Sequence, residues 1–245
     1  MSSGRAWDSP RPVGRLAIIG GSGLVRSTFG AGAQRVETSP LAAAAGVLEA
    51  DTHVVLQRHG IDGYVLPHMI DHFANAAALE ELDCDRALAL GSVGSLRADL
   101  PIGTLIDPHD FIALGASPSA FTDHRAHTIP GFDSAWRSRV RGAFEGQDEE
   151  IVEGGIYWES PGPRFETPAE IRLFAAHADV VGMTLGGECC ALCERGIACA
   201  AICVVDNMAN GIGPDPLTLE EFERGQTASA GRLLAALERA LPELV

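Results

Sequence analysis

The sequence predicts one α/β domain, a mostly parallel or mixed sheet flanked by helices. Short apolar runs of strand length alternate along the chain with stretches of helical period. Several of those runs stop at glycines and polar residues, as buried strands do when they deliver the chain into tight loops. No composition break or repeat divides the 245 residues, whose 46% hydrophobic content suffices for one continuous core.

Residues 1–14 carry Pro, Gly, Ser and Arg without periodicity and read as a flexible lead-in, leaving 15–245 as the domain. RLAIIGGSGL, from Arg15, is a buried strand ending in a glycine turn, and HVVLQRHG at 53–60 is a second. Residues 68–82 place Met69, Phe73, Ala76, Ala77 and Leu79 at helical spacing, and RALALGSVGSL continues as a strand. The segment 115–150, rich in Ser, His, Arg and Pro, reads as a long irregular excursion. Beyond it the pattern predicts a strand over 151–158, a Pro/Gly loop, a helix from Pro168 to Ala176 and a strand over 179–184. A helix at 187–195, the apolar run ACAAICVVDNMANG and a long amphipathic helix from Leu217 complete the chain.

Charge narrows the function. Eighteen basic residues against thirty-three acidic ones give a net charge of −15, a field that repels nucleic acid and anionic lipid. All the basic residues are Arg, so lysine-dependent chemistry such as a Schiff base or a phosphate-loop lysine is absent. The sequence has no apolar stretch long enough to span a membrane and no apolar run near Met1 for a signal peptide, so a cytoplasmic location is expected. The six Cys, five of them between 189 and 203, are not spaced as a disulfide framework. They read mostly as buried thiols, since the Cys190–Cys193 CxxC lacks a second ligand pair for a metal.

Polar residues gather where the predicted strands end: Ser22, Arg58 and His59, Ser92, Thr184, Asn207. In an open α/β sheet such ends converge on one crevice. Ser22, Arg58, His59 and Thr184, with the N–H groups of the GGSG turn, are donors suited to an oxyanion. Singly, each has an ordinary reading: a flexible turn, or a surface salt-bridge arginine.

IIGGSGL, LQRHG, PHMIDHFANAAALEELDCDRALALGSVGSL, PIGTLIDPHDFI, SPGPRFETPAE, VVGMTLGGE and the Asn207 loop resemble, in order and spacing, the trimeric nucleoside phosphorylases. That family joins purine nucleoside phosphorylase with methylthioadenosine phosphorylase, and the likeness runs from about Leu16 to the C-terminus. It implies reversible attack of inorganic phosphate on C1′ of a purine nucleoside, giving free base and a ribose 1-phosphate. Phosphate is a co-substrate, and no metal or organic cofactor is implied. Ser22, Arg58, His59, Ser92 and Thr184 match the phosphate-binding positions. Glu166 and Asn207 match the base-binding carboxylate and amide of the hypoxanthine- and guanine-cleaving members. A carboxylate accepts from the N1–H of hypoxanthine but faces a lone pair on adenine. Asp206 leaves an alternative open, because a one-residue slip would make it the base-facing acid and favour adenine.

By the same resemblance Phe165 stacks on the base, Met183 packs on the ribose, and Glu188 holds the phosphate-site loop or meets a sugar hydroxyl. Ordinary core packing, or a helix-start carboxylate, are the plain readings of these three. No His follows Leu217 to meet a 5′-hydroxyl; Phe222, with Gln226 one turn on, suggests an apolar 5′ wall and a 5′-methylthioinosine-like substrate. The family implies a homotrimer in which His127 or Phe132 reaches the neighbouring subunit's site. Departures from the family pattern fall at Gly91, at Gly186-Gly187 and at Asp71-His72. The competing readings are an adenine-type methylthioadenosine phosphorylase, a hydrolytic nucleosidase and a degenerate nucleoside-binding protein.

Overall fold

The computed structural model describes residues 14–21, 29, 32–39, 46–115, 119–147, 149–213 and 217–245. The expected lead-in up to residue 13, and Ser22, lie outside them. Among the described residues eleven strands form one mixed sheet. β1 (Arg15–Gly20) runs parallel to β4 (His53–Gln57) and to β5 (Cys84–Ser95). β2 (Gln34–Arg35) and β3 (Val47–Glu49) extend the β4 edge in antiparallel fashion. β5 pairs in parallel with β11 (Ala198–Met208), and its end meets β10 (Val180–Gly182) antiparallel. Beyond β10 lie β9 (Ile156–Glu159) and β7 (Asp110–Ala113); β6 (Leu105–Asp107) and β8 (Ile151–Glu153) continue from β11.

Alternation along the strands divides the core between the two faces of the sheet. Ala17, Ile19, Ala201 and Cys203 join one cluster with Ala76 and Leu79 of α1 (His72–Glu81) and Leu185 and Leu192 of α4 (Leu185–Glu194). Leu16, Ile18, Ile202 and Val204 join the other with Trp136, Val140 and Phe144 of α2 (Ser134–Glu145) and Leu233 and Leu237 of α5 (Leu219–Leu244). A third cluster seats α3 (Pro168–Phe174) on β9 and β10, with Trp158 and Phe174 stacked at 4.2 Å. Cys84, Cys189, Cys199 and Cys203 are buried and Cys190 and Cys193 partly so, all as free thiols. Among the described residues no cluster of His, Cys and acidic groups could hold a metal, and no helix is long and apolar enough to cross a membrane.

The chain differs from the sequence-based expectation in two places. The excursion at 115–150 contains α2, whose buried Trp136, Val140, Ala143 and Phe144 follow helical spacing between arginines. Asp133 caps it, accepting from the Trp136 N–H at 2.7 Å. The strand expected over 151–158 is two strands, broken at Gly154 (φ 79°) and Gly155 (φ 115°). Asp107 accepts the freed Gly154 N–H at 2.7 Å.

α5 lies against β11 because Gly225 has no side chain: a Cβ there would land on the Asp206 carbonyl oxygen. Since that obstacle is backbone, Gly225→Ala is expected to cost about 3 kcal/mol, the upper end for overpacking, measured by urea unfolding.

Candidate active site

The C-terminal ends of β4, β5 and β11 open onto one cleft, roofed by α5 and by the loop before α3. Arg58, His59, Ser92 and Thr184 line one part of it. Phe165, Glu166, Met183, Asn207, Phe222 and Gln226 line the rest. Glu188, His127 and Phe132 are not among its walls.

Arg58 leaves β4 into the core and is 2% exposed. Its Nε and Nη2 donate to the carboxylate of Glu188, Nη1 to the Leu90 carbonyl at 2.9 Å and Nη2 to the Ile19 carbonyl at 3.3 Å. One of the five guanidinium N–H groups is left for a ligand. Glu188, 3% exposed, is thus paired with Arg58 rather than set in the cleft wall. Burial raises its pKa and Arg58 opposes the shift.

His59 is bonded through Nδ1 to the Val65 carbonyl at 2.8 Å and stacks on Tyr64 with ring centroids 4.9 Å apart. Burial first, then the Arg58 charge, lowers its pKa to about 4. At neutral pH the ring is uncharged, Nδ1–H donates to Val65, and Nε2 is an acceptor. Tyr64, a cleft residue that motif reading missed, follows the QRHG turn by only a few positions.

Thr184 opens α4, and its backbone N–H donates to the Tyr157 hydroxyl at 3.1 Å. The Leu185 N–H donates to the same hydroxyl at 3.4 Å, and those of Gly186 and Gly187 meet the carboxylate of Glu159, the latter at 2.9 Å. This accounts for the departure from the family pattern at Gly186-Gly187. A Cβ on Gly186 would stand 2.8 Å from Glu159 Oε2, and one on Gly187 would stand 2.7 Å from His72 Cδ2. Gly186-Gly187 and His72 are thus one packing unit, while Asp71 caps α1 by accepting from the Ala74 N–H at 2.9 Å. Gly91 has the same logic: Cys203 Sγ fills its side-chain space, 2.7 Å from where a Cβ would be.

Burial pushes the Glu159 carboxyl up to about 7, against the pull of the two N–H groups. A carboxyl with a raised folded-state pKa stabilises fully below its unfolded value and loses that contribution as pH rises through 7. Glu159→Gln is therefore expected to flatten the change in unfolding free energy between pH 5 and 8 by about 2–3 kcal/mol, read by urea titration at both pH values.

Elsewhere in the cleft, Glu166 is 8% exposed and its Oε1 is buried without a hydrogen-bond partner. Its backbone is fixed on both sides. Thr167 forms a capping box with Glu170 at the start of α3, and Asn210 Nδ2 donates to the Glu166 carbonyl at 2.8 Å. Phe165 meets Phe222 of α5 at 5.2 Å between ring centroids. Met183 sits beside Gly162, where a Cβ would stand 2.6 Å from its sulfur.

Asp206 and Asn207 both face the cleft, although adjacent strand residues ordinarily alternate. The ladder between β11 and β5 shifts between Val205 and Asn207, and this bulge turns both side chains to one side. Burial raises the Asp206 pKa to about 6 against the pull of Ser92 and Asn207.

Of the two residues considered for lending to a neighbour, His127 is exposed in a short 3-10 turn. Phe132 is 8% exposed and packs edge-on against Phe111 at 5.9 Å within its own core.

The fold is an α/β sheet with its cleft at the carboxyl ends of parallel strands. Residues 15–242 match the Phosphorylase superfamily, and the chain belongs to that family, with the nucleoside phosphorylases. An Archaeoglobus fulgidus protein named "Probable 6-oxopurine nucleoside phosphorylase" is 32% identical over 94% of this chain and 96% of its own. A Methanocaldococcus jannaschii protein named "Probable S-methyl-5'-thioinosine phosphorylase" is 32% identical over 91% of this chain and 90% of its own. Methylthioadenosine phosphorylase from Schistosoma mansoni, solved with adenine, has the same fold: TM-score 0.81, 23% identity, 93% of this chain and 91% of its own.

Proposed function

We propose that the protein catalyses phosphate-dependent cleavage of 6-oxopurine nucleosides, with 5′-methylthioinosine the preferred type. The unpartnered buried oxygen of Glu166 carries this reading. A buried acceptor without a donor is costly, and the N1–H of hypoxanthine or guanine is the donor that relieves it. Adenine offers a lone pair there. The relatives named for 6-oxopurine nucleosides and for methylthioinosine support the same base class. An apolar wall of Phe222, Leu233 and Leu234 supports a 5′-methylthio group over a 5′-hydroxyl.

In this mechanism phosphate lies between Arg58, His59, Ser92 and Thr184, beneath the ribose. The C1′–N9 bond breaks with its electron pair going to the purine, and a phosphate oxygen forms the new bond to C1′. The bound anion stabilises the oxocarbenium-like sugar while Glu166 and Asn207 stabilise the departing base. Because His59 is neutral, its Nε2 accepts a phosphate hydroxyl proton, and Ser22, outside the described residues, remains assigned to the same anion.

Comparing kcat/KM for 5′-methylthioinosine, inosine and 5′-methylthioadenosine tests the substrate assignment. Methylthioinosine should lead both others by at least about tenfold, near one lost hydrogen bond or apolar contact. Preference for methylthioadenosine would overturn the base assignment, and preference for inosine the 5′ assignment. We also propose a homotrimer with His127 beside the neighbouring site. Sedimentation should give three chains per particle, and a monomer would overturn it.

A further inference from the structure

The bulge at Asp206 gives the cleft a group that the proposed reaction does not itself use. Asp206 is 1% exposed, and both of its carboxylate oxygens are engaged by residues of the cleft wall. Oδ2 accepts from the Ser92 hydroxyl. Oδ1 accepts from Asn207 Nδ2 at 2.6 Å. Ser92 belongs to the anion half of the cleft and Asn207 to the base half, so one planar group joins the two.

Its place is rigid. Gly225 of α5 packs on the Asp206 carbonyl oxygen, and Gly94 of β5 leaves room for Asn207 Oδ1, which stands 2.9 Å from where a Gly94 Cβ would be. Each contact also removes a degree of freedom from its partner. With its proton given to Asp206, the Ser92 oxygen can only accept, so the phosphate oxygen facing it must carry a proton. With Nδ2 turned to Asp206, the Asn207 amide is fixed with Oδ1 beside Gly94, an acceptor for a purine N–H.

We propose that Asp206 is a positioning residue that couples the phosphate and purine halves of the cleft, so that either ligand orders the shared carboxylate and strengthens binding of the other. The inference rests on the nucleoside phosphorylase reading above. Two ligands ordering one group bind with positive coupling, because the second meets a site already fixed. By reciprocity phosphate should tighten hypoxanthine binding by the same factor as hypoxanthine tightens phosphate binding, roughly tenfold.

Isothermal titration of hypoxanthine, with and without inorganic phosphate, measures that factor directly and involves no turnover. In the wild-type protein phosphate is expected to lower the hypoxanthine Kd about tenfold. In Asp206→Ala each ligand alone should still bind while the factor falls to about one, as expected when a coupling group is removed. Asp206→Asn, which keeps the shape, guards against a folding defect. Its amide has a single acceptor oxygen, so it cannot accept from Ser92 and Asn207 at once, and its factor should also fall towards one.

A purely structural Asp206 would weaken both ligands together and leave the factor unchanged, which would overturn the proposal. Wild-type protein that binds both ligands independently would overturn it while leaving the proposed reaction standing. Wild-type protein that binds neither would overturn both.

Discussion

Arg58→Ala is expected to lower the stability of the protein by about 3–5 kcal/mol and to raise the KM for phosphate. The sequence alone suggests only the second effect, since Arg58 reads as an anion ligand. Its geometry adds the first. Arg58 and Glu188 are 2% and 3% exposed and face each other through two hydrogen bonds, so removing the guanidinium strands a buried carboxylate. The Leu90 and Ile19 carbonyls lose their donor as well. A paired variant separates the two effects. Arg58→Met with Glu188→Met removes both charges and replaces them with apolar volume, so most of the stability should return. The KM for phosphate should stay raised, because the ligand N–H is still gone. Urea unfolding and phosphate saturation on the two variants check this, and a normal KM in the double variant would take Arg58 out of the anion site.

Asn207→Asp should move base preference from hypoxanthine towards adenine nucleosides. The amide offers one acceptor and one donor to the purine, and a carboxylic acid at the same place offers a different pair. The neighbour makes the change larger. Asp206 already stands 2.6 Å from the Asn207 side chain, and two carboxylates at that separation cannot both ionise. The pair would carry one proton, and held at position 207 it gives adenine N7 the donor that it needs in place of the acceptor that hypoxanthine uses. Loss of a hydrogen bond to a charged or polarised group is worth about 1.5–3 kcal/mol, so the ratio of the two kcat/KM values should move by one to two orders of magnitude. A ratio that stays put would remove Asn207 from base recognition.

Much of this site was legible in the sequence, for a physical reason. Strand ends of an α/β sheet converge, so polar residues at the ends of HVVLQRHG, RALALGSVGSL and ACAAICVVDNMANG can be expected to meet, and Arg58, Ser92 and Asn207 do line one cleft. What the sequence conceals is local backbone geometry. Asp206 and Asn207 read as alternatives because alternation allows only one of them to face the site, whereas a bulge turns both inward. The helix at Ser134–Glu145 was hidden because arginines interrupt its apolar stripe. Glu188 read as a ligand contact because its partner, Arg58, is 130 residues away, and burial of the pair emerges only on folding. The departures at Gly91 and at Gly186-Gly187 look like a weakened phosphate site in the sequence. In space they are positions where Cys203, Glu159 and His72 occupy the room that a side chain would take.

In the proposed reaction phosphate is the nucleophile. Incubating the protein with 5′-methylthioinosine and following hypoxanthine release, with and without phosphate, tests it most directly, with the sugar product resolved by phosphorus NMR. Release is expected only with phosphate, with one sugar 1-phosphate formed for each hypoxanthine. Release at the same rate without phosphate, giving the free sugar, would contradict it and make the protein a hydrolase.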